Sequence, residues 1–304
     1  MTNPASQLYG IRHSLLTLFL VCFPLAVLSH ARPVRVAVLD FGASEIGTRV
    51  AEILARAIAA QGPNFQLVDR DQTRAAALGS GYRGSLNLTV EDARDLGAAI
   101  DCDFFMIADA QTLRRSSSET PVYFESYAMI YLISARTGKL VDWQLTVTSP
   151  KHAQPAPSEQ ELFRNLPHDV IGDYLKRMIE KALETESTQR ALAIESGAPV
   201  IEVMSDNDPK STGGTRPPRP YRRLKPDYPE WAAKFGIEAI VDALVDVDKD
   251  GEVGHVEIAR WAGYGLDDSV LKTVKQLHFF PAMRDGVAIP MRVLLRYNFR
   301  KPPR

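Results

Sequence analysis

The sharpest chemical signal in this 304-residue sequence is Asp246-x-Asp248-x-Asp250-Gly251, with Glu257 closing a twelve-residue loop. Oxygen donors at the first, third, fifth and last loop positions are what a hard cation such as calcium needs, and the glycine permits the sharp turn between them. Val253 also fits the usual apolar eighth position. Such a loop requires a helix on each flank. Here Val241, Ala243, Val245 and Val247 alternate with Asp242, Leu244 and Asp246, which is the period of a strand, and Gly263 and Gly265 break any helix that would follow. The flanks favour a hairpin turn, with Glu257 projecting outward from the returning strand. A calcium-binding module using Asp246 to Glu257 is the competing reading.

Other chemistry is less well supported. Gly42-Ala43-Ser44-Glu45-Ile46-Gly47-Thr48 follows a strand and precedes a helix, as a phosphate loop would. It lacks the lysine after the second glycine, and Glu45 would repel phosphate, so a strand-to-helix turn suffices. His152, His168, His255 and His278 stand far apart, with no neighbour at zinc-ligand spacing. No glycine-flanked serine and no carboxylate pair in a recognisable context offers a nucleophile or an acid–base couple. The sequence therefore suggests a non-enzymatic protein with no catalytic residue, cofactor or metal.

The elements that would position any site fall into two halves. Val34 to Phe41 reads as a strand, Ile46 to Ile58 as a helix, and Phe65 to Val68 as a second strand running into Asp69-Arg70-Asp71-Gln72. Gly79 to Asn87 is a glycine-containing loop. Thr89, with Asp92 three residues on, caps a helix through Ala93, Leu96 and Ala99. Phe104 to Ala108 is a third strand; Tyr123 to Ser134 and Val141 to Thr148 form a hairpin; Val170 to Leu183 is a closing helix. That order describes an α/β sandwich with a mixed sheet. Towards the other end, strands over 237–247 and 253–259 flank the Asp248-Lys249-Asp250-Gly251 turn. A helix carries Leu266, Val270, Leu271, Val274 and Leu277, and a last strand runs from Met291 to Phe299.

This ββαβ order resembles the C-terminal domain of the TonB family. The residues that carry the resemblance are Tyr228-Pro229, Gly236-Ile237-Glu238, Val241, Val245, Val247 and Asp250-Gly251, then Leu266-Asp267, Phe279, Pro281-Ala282 and Gly286. Ala239, Leu277 and Ala288 stand where the family usually has glycine, tryptophan and proline. The resemblance implies an envelope protein that receives a short extended segment of an outer-membrane partner by strand addition at the last strand. Arg292, Leu294, Arg296 and Asn298, on the strand's face away from the core, are the candidate partner-binding residues, together with Lys225 and Tyr228 at the domain's start. As the last element, Met291 to Phe299 is expected to leave one backbone edge open, with Pro302 and Pro303 unable to extend the ladder. In the first half, Val36-Ala37-Val38-Leu39-Asp40-Phe41, Leu67-Val68-Asp69-Arg70, Leu96-Gly97 and Asp101-Cys102-Asp103 loosely resemble periplasmic domains related to CsgG and the N-terminal domain of TolB.

Arg12 and His13 precede an apolar run from Leu15 to Leu28, followed by Ser29-His30-Ala31, which has the form of a cleavable secretory signal. The run is short for a membrane span, but a retained anchor would suit an energy transducer with inner-membrane motor partners. Removing the leader leaves Cys102 as the lone cysteine, unable to staple the fold. Residues 33–196 are expected as an α/β periplasmic domain, 197–220 as a flexible linker, with a basic and proline-rich stretch from Arg216 to Lys225, and 221–304 as the TonB-like domain. Apolar content of 45% and a net charge of -1 carry no global bias toward nucleic acid. The expected location is the periplasm, the partner an envelope protein.

Overall fold

A computed structural model describes residues 32–39, 44–170, 179–180, 182–184, 203–205 and 215–301. The leader over 1–31, Gly42 and Ala43 of the phosphate-loop candidate, most of the closing helix over 170–183, most of 197–220, and Pro302 and Pro303 lie outside the described residues.

In chain order, β1 (Val34–Val38), α1 (Glu45–Ala59), β2 (Phe65–Leu67), α2 (Arg70–Gly79), α3 (Val90–Ile100), β3 (Phe104–Arg115), β4 (Tyr123–Ser134), β5 (Leu140–Val147) and α4 (Pro155–Val170) build the first half. The sheet order is β2-β1-β3-β4-β5, with β1 parallel to both neighbours and the β3-β4-β5 meander antiparallel. The mixed sheet expected from the sequence is present. Strand alternation then sorts the core into two layers. Val36, Val38, Phe104, Met106, Ile130 and Leu132 face Val50, Leu54 and Ile58 of α1 and Leu162 and Leu166 of α4. Ala37, Phe105, Ile107, Met129, Tyr131 and Ile133 face the other way, toward Ala93, Leu96 and Ile100 of α3.

Three elements depart from the sequence expectation. Asp69 does not prolong a strand but caps α2, its carboxylate accepting from Gln72 N at 2.9 Å, ahead of an alanine-rich turn that favours helix. β3 continues to Arg115 because its polar second half keeps pairing with β4, from Gln111 opposite Tyr127 to Arg115 opposite Tyr123. The helix beside this sheet begins at Pro155, well before Val170. By contrast, Thr89 and Asp92 form the reciprocal capping box their spacing implies.

The second half contains β6 (Val203–Ser205), β7 (Thr215–Arg216), β8 (Arg219–Pro220), α5 (Glu230–Phe235), β9 (Ala239–Val247), β10 (Val253–Arg260), α6 (Leu266–Val274), β11 (Phe279–Phe280), β12 (Ala282–Arg284), β13 (Val287–Ile289) and β14 (Met291–Phe299). Its main sheet runs β10-β9-β14-β6. Val241, Ala243, Val245, Met291, Val293 and Leu295 are buried against Leu266, Val270 and Val274 of α6. The Asp246 to Glu257 stretch is a hairpin: Asp248 Oδ1 accepts from Asp250 N at 2.8 Å and Glu252 N at 2.9 Å, folding that carboxylate into its own turn. Gly251, at φ 84°, lies so close to Phe279 that a Cβ there would sit 1.8 Å from the carbonyl oxygen.

Pro33–Arg304 forms one compact unit. Trp261, Ala262 and Tyr264 of the second half belong to the same apolar cluster as Tyr131 and Ile133 of the first sheet, so α3 and the C-terminal half cover one sheet face between them. Gly263, at φ 72°, lets the chain lie on Tyr131, where a Cβ would stand 2.5 Å from the ring. Polar groups fix the contact. Asn87 donates to Ile240 O at 2.8 Å and Trp261 O at 2.6 Å, and accepts from Ile240 N at 3.0 Å. Trp261 Nε1 donates to Gly138 O at 3.1 Å, and Lys234 reaches the buried Glu125 at 2.8 Å. Among the described residues no helix is long and apolar enough to cross a membrane.

Candidate partner-binding edge

β14 is held along its whole length by β9, from Met291 opposite Val247 to Phe299 opposite Ala239. Its inward residues fill the core, which leaves Arg292, Leu294, Arg296 and Asn298 on the other face, as the alternation implied. Arg296 and Asn298 are exposed; Arg292 and Leu294 are half-buried.

The arginines are not free charges. Arg292 grips Asp246 with two bonds, Nε to Oδ1 at 2.6 Å and Nη2 to Oδ2 at 2.8 Å. Arg296 grips Asp242 in the same way, at 2.7 and 3.0 Å, and Arg260 of β10 adds a third bond to Asp242 at 3.2 Å. Each pair sits directly across the ladder, so planar guanidinium and planar carboxylate meet as a fork on a fork. Burial works against the Asp242 anion, but hydrogen bonds from Arg296 and Arg260 hold its carboxyl below the usual range. Both guanidiniums are shifted upward by the bonds they donate. Of the two aspartates, only Asp246 belongs to the calcium-loop pattern in the sequence. Their i, i+4 spacing on β9, matching Arg292 and Arg296 at i, i+4 on β14, was the available signal.

The open edge expected of β14 is partly covered. β6 lies parallel to it, with Val203, Met204 and Ser205 opposite Arg292, Val293 and Leu294. Leu295 to Phe299 carry no strand on that side among the described residues. The two remaining candidates lie apart from this edge in role. Tyr228 is half-buried, its hydroxyl donating to Ile237 O and its ring 6.0 Å from that of Phe299, so it braces the end of β14. Lys225 is exposed. Among the described residues no group of three or more histidine, cysteine or acidic side chains is arranged to hold a metal. Asp246 is engaged by Arg292, and Glu257 by Lys139 at 2.9 Å.

Residues 225–300 match the family described as Gram-negative bacterial TonB protein C-terminal. This segment is similar to the C-terminal domain of TonB proteins. The matched stretch includes the β9–β10 hairpin, α6 and β14, the ββαβ order read from the sequence, preceded by α5, which that reading did not contain. No curated protein matches the chain. Among solved structures, the chain is similar to the TonB C-terminal domain of Pseudomonas aeruginosa at 22% identity, over 33% of this chain and 96% of that one, with a TM-score of 0.27. It is similar to hypothetical protein CT253 of Chlamydia trachomatis at 14% identity, over 46% and 96%, with a TM-score of 0.32. The LpoB C-terminal domain of Salmonella enterica matches at 15% identity, over 40% and 87%, with a TM-score of 0.27.

Proposed function

We propose that this chain is a non-enzymatic periplasmic protein whose TonB-like domain binds an envelope partner by strand addition along β14. The family match at 225–300 carries the reading, and β14, which β9 pairs along one side and which among the described residues β6 pairs on the other only at Arg292 to Leu294, is the strand along which it would act. Backbone donors and acceptors on that edge give affinity, and side chains alternating above and below the added strand give selection. Because Arg296 already holds Asp242, it offers an acidic partner only the donors that pair leaves over. Selection by charge is correspondingly weak. The α/β half would then serve as the body on which the binding domain is mounted.

A photo-crosslinking residue placed at Asn298 in intact cells tests the reading. It should join the chain to an outer-membrane protein through an extended segment, and the product should vanish in an Arg296→Pro variant that keeps its wild-type circular dichroism. An undiminished product in that folded variant, or an equal product from the remote Arg164, would refute strand addition at β14.

A further inference from the structure

A second strand edge lacks a strand partner among the described residues. β5 ends the first sheet and β10 ends the second, and the two terminal strands border a cavity of about 370 Å³. From β5 it receives Leu140 to Trp143; from β10 it receives His255 to Ile258; Trp261 and Leu271 contribute apolar surface. One end is closed where Trp261 Nε1 meets Gly138 O and Lys139 bridges to Glu257. On β10, the edge away from β9 is bridged by Thr89 at Arg260, leaving the stretch before it without a strand partner among the described residues. The groove is therefore bounded, lined in part by apolar side chains, and flanked on the β10 side by an edge with no strand partner among the described residues, the arrangement that accepts an added strand.

Its charge is one-sided. Lys139 and Glu257 in its lining pair with each other, which leaves Asp267 and Asp268 as its acidic side. Asp268 is exposed at the start of α6, while Asp267 is turned back onto the Ala262 and Gly263 amides at 2.9 and 2.7 Å. The half-buried indole of Trp143 adds an aromatic surface on which a cation can rest. A second copy of the chain fits poorly. Its own basic stretch, Arg216 to Lys225, is already engaged, since Arg216 pairs with β12 and Arg219 and Pro220 pair with β11.

We propose that the β5–β10 groove docks an extended peptide in which lysine or arginine alternates with apolar residues, paired to the free edge of β10. The site is distinct from β14 and does not depend on what β14 binds.

Titration calorimetry on the full chain, with the probes acetyl-Val-Lys-Val-Lys-Val-amide and acetyl-Val-Glu-Val-Glu-Val-amide, tests it. The lysine peptide should bind about tenfold or more tighter than the glutamate peptide, and its advantage should shrink at high salt. Asp268→Lys, an exposed change that leaves the core alone, should remove most of that advantage. Hydrogen exchange should show new protection within His255 to Ile258. Equal affinity for both peptides, an unchanged preference in Asp268→Lys, or protection confined to Leu295–Phe299 would overturn the proposal. So would self-association by sedimentation that protects the same β10 amides without any peptide.

Discussion

Asp267 shows how one side chain can tie a domain together at a cost. Burial pushes its carboxyl up to about 6, against the two backbone bonds from Ala262 and Gly263 that favour the anion. In the unfolded chain the same group titrates near 3.8. Folding stability is therefore greatest, as far as this group matters, below about pH 4, and falls by up to roughly 3 kcal/mol as pH rises from 4 to 6. Asp267→Asn should flatten that slope in denaturant titrations made across the window, even though losing one accepted bond lowers its stability in acid. Glu161 has the opposite sign. The amide of Ser149, with help from His152 and the Ser149 hydroxyl, lowers its carboxyl to about 2, so its contribution is present above about pH 4.5 and is lost as pH falls toward 2. The two windows barely overlap and can be read separately. Asn87 is the other residue to test. Asn87→Ala would strand Ile240 N, Ile240 O and Trp261 O in the contact between the halves, costing about 1–3 kcal/mol for each group that water cannot reach. A loss below a few tenths in thermal unfolding would mean that water replaces the amide without penalty.

At the scale of elements, β6 is the feature with the clearest consequence for binding. It occupies the edge of β14 at Arg292 to Leu294, so a partner strand longer than the Leu295–Phe299 stretch must displace it. Met204→Pro cannot hold the full ladder, and should raise the yield of the Asn298 crosslink rather than lower it. A reduced yield would mean that β6 forms part of the docking surface. The hairpin makes a separate demand: a calorimetric titration with calcium should show no binding in the sensor range of about 10⁻⁷ to 10⁻⁵ M, because Asp246, Asp248 and Glu257 already have partners. Elements with a period were legible in the sequence. β9, β14 and α6 announce themselves through alternating valines and through Leu266, Val270 and Val274, and Thr89 with Asp92 marks the start of α3. β6 was not legible, since three residues carry no period and its pairing is set by β14, nearly ninety residues further on. α2 was missed for a different reason: Asp69 looks like a strand's polar end until the alanines after it are weighed as helix formers.

For the whole molecule, the shared core decides how the halves behave. Sequence reading placed a division near residues 197–220, and nothing local in Asn87, Gly138 or Tyr131 says that the C-terminal half will land on them. Those contacts join residues more than a hundred positions apart, which no window of pattern can see. Trp261 is about 1% exposed, and Trp261→Ala should cost about 3–5 kcal/mol, lowering the midpoint of both halves together. Two resolved calorimetric transitions that shift independently would show that the shared cluster does not couple them. The register of β14 has a mechanical side as well. Its hydrogen bonds to β9 lie across the strand axis, and they span all nine residues from Met291 to Phe299. A tug along that axis loads the whole ladder at once, whereas a pull sideways at one end would open it bond by bond. The Arg292–Asp246 and Arg296–Asp242 forks act as cross-ties on the same ladder. Asn87 grips β9 at Ile240, opposite Asn298, so tension entering at β14 is passed through one amide side chain into the larger sheet. A strand attached along β14 would be hardest to detach when drawn lengthwise and easiest when peeled.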